Sequence, residues 1–557
     1  MKKISIIIAS LLLTLGLNAQ VAYEHISNTA IYDFLDELAN QHYITLNSTV
    51  KPYSREFIAS KLTEAGKSES AMSERMKKEL NFYLSAYFIE SNSKAIQVFG
   101  KVDKKTGTES GLSLPAFAAY YRDTLLRAVV RPVVGISSFS NADTSFYHRW
   151  IGAEAYAYIG NSLGVYANLR DNHESSLLTS PLYFSTKPGA PVKNFGIAGV
   201  DYSEMRGGVV YSWKWGSLGL IKDHVVWGDN YHGSNILSGR TPSFAHISFK
   251  LKPAKWIELN YIHGWLVSNV VDSTRSYYDD YVYRPVFHDK FIAANLITVT
   301  PVKRLNISFG NSVIYSDIGV HPAYLIPLFF YKSVDHTLNN TNTFGETGQN
   351  AQMFASISSR QINKLHLYTS VYFDELSLTR IKNGIIHNYY SLKVGGRTSG
   401  LLLDRLVMTA EYTLVRPLTY VHKISTTTFT TNNYNLGYYL RDNSKELYFA
   451  AQYKPIRGLT AKLEYTLARH YNDYVYDNSG TDGHIPFKDL TWQNTQTAIS
   501  AEWELAANVG VFAGLTISDI KGFDADGHKA QYYLDKYTPK VYQGSKTTLN
   551  AGFRIGF

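Results

Sequence analysis

The chain has no cysteine among its 557 residues. That excludes a disulfide scaffold, a thiolate metal site and a lipid-modified amino-terminal cysteine. Charge is also sparse, at 18% of residues against 45% hydrophobic, so the chain is not a solvated disordered polymer. The 55 basic and 46 acidic residues, formally +9, are interspersed with no basic block, which removes the electrostatic footprint of a nucleic-acid binder. Long apolar runs are missing beyond Gln20, so no segment there can cross a bilayer as a helix. What is abundant is Tyr (43) and Gly (39), with Asn, Thr and Ser dominating long stretches. That composition favours β-structure.

The first twenty residues have the form of an export signal. Met1-Lys-Lys is followed by an apolar run from Ile4 to Leu17 and then Asn-Ala-Gln, which places cleavage after Ala19. Losing Lys2 and Lys3 brings the formal charge from +9 to +7. An exported chain without spanning helices is either soluble in the envelope or crosses a membrane as a closed barrel.

Residues 20–90 read as a helical head or plug. Ile31, Phe34, Leu35 and Leu38 fall on one helical face. Ser54 is placed to cap a second helix carrying Ile58, Leu62 and Ala65, with Gly66 at its end; Met72, Met76, Leu80 and Leu84 mark a third. Residues 91–124 are expected to form a linker and a short hairpin, and 125–557 a transmembrane β-barrel.

From about Ser91 the hydrophobic period is two. Leu163, Val165, Ala167 and Leu169 alternate with Gly164, Tyr166, Asn168 and Arg170, and Leu459 to Leu467 repeats the pattern. Tight turns are expected near Gly160-Asn161, Trp215-Gly216, Pro253-Ala254, Pro301-Val302, Asn363, Leu403-Asp404, Pro455-Ile456 and Ala507-Asn508. Long polar segments such as 272–283, 333–348, 422–435 and 472–489 lie between them. Short turns at one end and long loops at the other are the asymmetry of an outer-membrane antiparallel barrel, here of about 18 strands. The chain ends on an alternating segment in which Phe553, Ile555 and Phe557 share a face, the form of a membrane-insertion signal for barrel-insertion machinery.

Catalytic motifs are missing: no G-x-S-x-G, no H-E-x-x-H and no phosphate-binding loop. No catalytic residue, metal ligand or cofactor is therefore assigned. His263 and His288 could meet only by accident of register. Asp279-Asp280 and Asp374-Glu375 are adjacent acids, and neighbours on a strand point to opposite faces. Asp477 to Asp482 and Asp524 to Asp526 have a faint calcium-loop spacing that ordinary turns share. Arg170, Lys250 and Arg554 are expected in the lumen, free to steer anions or to pair across strands. The loops are more informative: Tyr277, Tyr278, Tyr281, Tyr283 and Arg284 cluster in one, and Tyr471, Tyr474 and Tyr476 in another. Flat rings beside acids and guanidinium groups suit sugars, although tyrosine also forms the interfacial girdle of barrels. These eight residues are the candidate polysaccharide-binding set.

Several stretches carry a resemblance. Ile31-Tyr-Asp-Phe-Leu-Asp-Glu-Leu38, Lys51-Pro-Tyr-Ser-Arg55, His232-Gly-Ser-Asn235, Gly239-Arg-Thr-Pro-Ser-Phe244, Lys252-Pro-Ala-Lys-Trp-Ile-Glu258, Lys290-Phe-Ile-Ala-Ala294, Lys303-Arg-Leu305, Val313-Ile-Tyr315 and Leu325-Ile-Pro-Leu-Phe329 occur in order over nearly the whole mature chain. In order and spacing they resemble the Wzi-like capsule assembly proteins of Gram-negative bacteria, in a Bacteroidetes-type version. One departure is Asn311, where the pattern has an acid at what is read as an inward position. The resemblance implies an outer-membrane barrel closed by its loops and helical head, acting without catalysis as a lectin for capsular or exopolysaccharide. Its implied surroundings are outer-membrane lipid and lipopolysaccharide. A porin, a barrel subunit of a secretion or surface-assembly complex, and a barrel hydrolase remain as alternatives.

Overall fold

The computed structural model describes residues 20–91, 96–103, 105–192, 194–196, 199–338, 348–375, 388–476 and 484–557. The export segment 1–19 and the stretch 477–483, which holds the first calcium-like spacing, lie outside them.

The body is a closed antiparallel barrel of 18 strands. Strands β1 to β6 are Leu126–Ser140, Ser145–Ile159, Leu163–Glu174, Gly199–Trp213, Gly216–Asp223 and Phe244–Ala254. Strands β7 to β12 are Ile257–Leu266, Lys290–Val302, Leu305–Ser316, Asn350–Ser359, Leu365–Glu375 and Tyr389–Ser399. Strands β13 to β18 are Leu406–Val415, Ser444–Tyr453, Leu459–Tyr471, Leu490–Ala506, Val509–Gly522 and Gly544–Ile555. The last strand pairs with the first, from Leu549 opposite Ser140 to Ile555 opposite Val134, so the sheet has no open edge across this seam.

The strand count follows from the turn rhythm, but two turns sit later than their prolines suggest. β6 continues to Ala254 and β8 to Val302, so the reversals fall at Lys255-Trp256 and Lys303-Arg304. Pro253 and Pro301 occupy irregularities, with register shifts between Leu251 and Ala254 and between Val299 and Val302. A proline lacks the N–H that a regular ladder needs, and a bulge tolerates that loss.

Residues 97–122 form three short strands, Gln97–Asp103, Thr108–Ser113 and Ala118–Arg122, of which the last pairs with the start of β1 below the end of β18. The head contains α1 (Thr29–Asn40), α2 (Arg55–Gly66) and α3 (Glu74–Ala86). Ser54 and Ser73 accept from the amides of Phe57 (3.1 Å) and Met76 (3.4 Å), which fixes where α2 and α3 begin. Phe34, Leu35, Leu38, Ile58, Leu62, Met76 and Leu80 pack into one small core.

The carboxyl terminus departs from the expected alternation. Phe553 is exposed on the outer face, yet Gly556 takes φ +79° and turns Phe557 inward, where it is 4% exposed against Val133 and Trp150. Left-handed φ at 556 is what permits the reversal.

Candidate functional site

The head packs into the lumen from the short-turn end, and a long connection enters it from the loop end. Charge pairs hold the head to the wall. Arg360 meets Asp36 at 2.7 Å, Arg397 meets Asp33 at 3.1 Å and Lys454 meets Glu37 at 3.1 Å. Tyr83 donates its hydroxyl to Glu504 at 2.6 Å. Near the start of the head, Glu24 pairs with Arg55 and lies 3.4 Å from Arg131. Burial alone would raise the Glu24 carboxyl; Arg55 and Arg131 outweigh it, with help from Tyr87 and Asn28, and hold it down at about 2.

From the other end, residues 224–243 fold down into the barrel. Val226–Trp227 pairs with Val50–Lys51 of the head on one side and with Leu237–Ser238 on the other, so head and loop share a small sheet inside the lumen. Asp229 accepts from Ser48 and Thr49 of the head. Asn235 ties the same loop to the wall, accepting from Ser370 Oγ at 2.6 Å and donating to Ser391 Oγ at 3.2 Å. Trp227, Ile236 and Leu237 are buried in the main apolar cluster. Gly239 has φ +67°, and a Cβ there would come within 2.5 Å of Val226, so this close return needs glycine. The segments His232–Asn235 and Gly239–Phe244, singled out in the sequence, thus belong to a connection packed inside the lumen. A hollow of about 30 Å³ beside Tyr23, Lys51, Asp223 and His224 has room for roughly one water.

A second latch joins head, wall and chain end. His25 stacks on Phe557 with ring centroids 3.7 Å apart. His25, Glu204 and His224 bring three ligand-type atoms within 4.8 Å of one another. The surroundings are those of a hydrogen-bonded latch: Ser27 N–H donates to His25 Nδ1 (3.0 Å), His224 contacts Thr241 O (3.1 Å) and Glu204 (3.0 Å), and Arg170 meets the other Glu204 oxygen at 2.6 Å. Burial, followed by the positive field of Arg206, holds the His25 imidazole down at about 4. The sequence offered no cue to this cluster, because its members lie far apart in the chain.

The lumenal cations anticipated for anion steering are engaged. Arg170 pairs with Glu204, Arg554 with Glu502, and Lys250 lies 5.4 Å from the Tyr23 ring centre. His263 bonds the Tyr315 hydroxyl and His288 bonds Asp317, so the two histidines serve separate partners. Asp374 accepts from the amide of Tyr420. Asp524 takes Lys529 and the amide of Ala530, which is the work of a turn leading into the helix Ala530–Tyr537.

The candidate sugar-binding residues fall into two groups at the loop end. Tyr277–Asp279 and Val282–Arg284 pair as a hairpin between β7 and β8, with Tyr278 opposite Tyr283 and Tyr277 opposite Arg284. Asp280 and Tyr281 form its tip, both at positive φ. Tyr278 is 74% and Tyr281 fully exposed, and Tyr277 and Tyr283 are also open to solvent. Arg284 lies 3.6 Å from Asp279, a solvent-exposed pair that leaves donors and acceptors beside the rings. Tyr471, Tyr474 and Tyr476 sit elsewhere and are partly covered. Tyr471 packs edge-on to Phe487, Tyr474 donates to Ile485 O at 2.9 Å, and Tyr476 approaches Tyr389 and His422. The structure therefore gathers five of the eight onto one exposed element and leaves three as loop packing.

Asn311 is not inward. It shares its face with Phe309, which is exposed on the outer wall, while Ser308, Ser312 and Ile314 line the interior. Register decides this: one residue of displacement exchanges the two faces of a strand.

No protein-family model and no curated protein sequence matches the chain. Among solved structures, similarity is found to Wzi of Escherichia coli, described as an outer membrane protein involved in group 1 capsule assembly and a carbohydrate-binding β-barrel. The TM-score is 0.55 at 12% identity, covering 97% of this chain and 100% of that one. Acinetobacter baumannii OccAB1 (TM-score 0.43, 9% identity, 77% and 96% covered) and Pseudomonas aeruginosa OccD3 (0.40, 11%, 76% and 90%) also align. The chain therefore has a Wzi-like fold, that of an outer-membrane-type β-barrel.

Proposed function

We propose that this protein resides in the outer membrane, exported by a signal cleaved after Ala19, and binds surface polysaccharide there to help attach or assemble a capsule, without catalysis. The short-turn end and the head then face the periplasm and the long loops face outward. The observation that carries this reading is that the head and residues 224–243 meet as one sheet inside the barrel, an arrangement that suits a surface-binding protein and not a conduit. The Wzi-like fold supports the same reading, since that protein is described as carbohydrate-binding.

The binding face we assign is the tyrosine hairpin Tyr277–Arg284. Sugar rings present C–H faces that pack on aromatic rings, while hydroxyls take hydrogen bonds from side chains such as Arg284 and Asp279. Replacing Tyr277, Tyr278, Tyr281 and Tyr283 together by Ala is expected to weaken glycan retention on the order of 10- to 100-fold, for about two of the four rings engaged at once at roughly 0.5–1.5 kcal/mol each. Pull-down with the producing cell's own polysaccharide, and capsule retention on cells carrying the variant, read this directly. Retention equal to wild type would remove the hairpin from the binding face.

The porin alternative makes the opposite electrical prediction. The intact protein in planar bilayers is expected to show no steady open current, because head and loop occupy the lumen together. A stable ohmic conductance from the unmodified chain would overturn the closed-barrel reading.

A further inference from the structure

The described part of the connection between β9 and β10 takes an unusual course. Instead of standing above the rim, residues from Pro322 to Leu338 fold back over the outer wall of the barrel. Tyr324 stacks within 4.6 Å of Tyr315, and Tyr324 and Tyr331 cover Tyr261, Phe291, Ala293 and Val313, all outward-facing and all nearly inaccessible.

The attachment points are two carboxamides in the middle of a face that is apolar apart from them and from His263, which bonds the Tyr315 hydroxyl. Asn295 and Asn311 are register partners, about midway along β8 and β9. Asn295 Nδ2 donates to Phe329 O at 2.9 Å, and Asn311 Nδ2 to Asn295 Oδ1 at 2.8 Å. The Tyr331 amide donates to Asn311 Oδ1 at 2.9 Å, and the Tyr261 hydroxyl to Tyr324 O at 2.9 Å. Two bare carboxamides facing hydrocarbon would each cost several kcal/mol; here they satisfy the irregular backbone laid over them.

The side of the segment turned away from the wall is apolar. Leu325, Ile326, Leu328, Phe329 and Phe330 are exposed, Leu328 by 67%. No Asp, Glu, Lys or Arg occurs from Ile318 to Tyr331. The register row through Asn311 continues to Met353 and Phe373 on the next two strands, both on the outer, apolar face. Below the segment that face consists of Ile297, Val299, Ile307 and Phe309. The exposed leucine and phenylalanine side chains thus continue, on a different element, the surface that the strands present to lipid.

We propose that Pro322–Tyr331 is an intramembrane strap: an outer loop that replaces the upper half of the lipid-facing wall over β7, β8 and β9 and packs Leu325, Ile326, Leu328, Phe329 and Phe330 against the acyl chains of the outer leaflet. The proposal rests on the outer-membrane reading above. Asn311 acts in it as the anchor, which gives a structural reason for a carboxamide at a position where an unpaired acid would be a buried charge.

The absence of native cysteine allows a direct test on the full-length protein in lipid nanodiscs. Single variants Leu328→Cys, Phe309→Cys and Tyr281→Cys, each carrying a nitroxide, report strap, barrel wall and hairpin tip. Nickel-complex accessibility at 328 is expected to lie within about twofold of 309 and roughly fivefold or more below 281, with high oxygen accessibility, as a hydrocarbon site requires. Accessibility at 328 matching 281 would place the strap in water, and protection from both reagents would mean that protein covers it, a second copy included; either overturns the proposal. An aqueous reading at 309 itself would instead overturn the membrane assignment. In Asn311→Leu the label at 328 is expected to lose its protection, and unchanged protection would remove Asn311 as the anchor.

Discussion

Replacing Arg360 by Met is expected to release the helical head from the barrel. Arg360 follows β10 and is almost fully buried. Its guanidinium donates to Asn40 Oδ1 (2.9 Å), Asp36 Oδ1 (2.7 Å) and Ser48 Oγ (2.9 Å), and its carbonyl accepts from His42 Nε2 (2.6 Å). One side chain thus clamps the end of α1 and the strand entry that follows it. Removing the cation leaves Asp36 buried and unpaired, a change that costs about 3–5 kcal/mol. Docking should weaken by a factor of roughly 10² to a few times 10³. Limited proteolysis of the head in the folded, detergent-solubilised barrel measures this, and current in planar bilayers should rise in parallel. Arg360→Met combined with Asp36→Asn should recover part of the loss, since the stranded charge is then gone. Cleavage of the single variant at the wild-type rate would show that the clamp contributes nothing to docking.

Acid is the second lever, and its sign follows from two groups. The docked His25 imidazole sits at about 4 against 6.5 when free, so it stays neutral in the docked state while the released head takes up a proton. This contribution to docking is full above pH 6.5 and lost as pH falls toward 4. Glu24, at about 2 against 4.5 when free, contributes above pH 4.5 and loses that contribution as pH falls toward 2. Each interval of about 2.5 pH units corresponds to about 3 kcal/mol. Docking should therefore weaken in two successive windows, the first ascribed to His25 and the second to Glu24. His25→Phe should remove the upper window alone, because the ring stacked on Phe557 is kept while the proton site is not. Head release followed by proteolysis between pH 7.5 and 4.5 tests the upper window; a docking constant unchanged across that range would contradict it.

Much of the molecule was legible in the order of residues. Period-two alternation, tight turns and long polar loops were enough to place the strand number near eighteen, because a closed barrel imposes one apolar and one polar side on every strand. The small helical head was legible through Ser54 and the spacing of Ile31, Phe34, Leu35 and Leu38. Local periodicity also says that Asn311 alternates, but not which side it takes, and Pro253 and Pro301 look like turns until the ladder shows them as bulges. The candidate tyrosines were equivalent as a list. Only the fold separates the open hairpin Tyr277–Arg284 from Tyr471, Tyr474 and Tyr476, each already packed or bonded within its surroundings.

The sequence by itself determined the barrel and put its strand number near eighteen, since these depend on interactions between residues two apart and on turn chemistry; the closed ladder fixed the count at 18. Tertiary structure decided what the barrel does with its lumen and its outer wall: Val50 meets Trp227, Asp36 meets Arg360, and Phe329 reaches Asn295 across separations that no local pattern encodes. Those contacts form because the closed sheet places distant segments within reach and because buried charges and carboxamides must find partners wherever the chain can supply them.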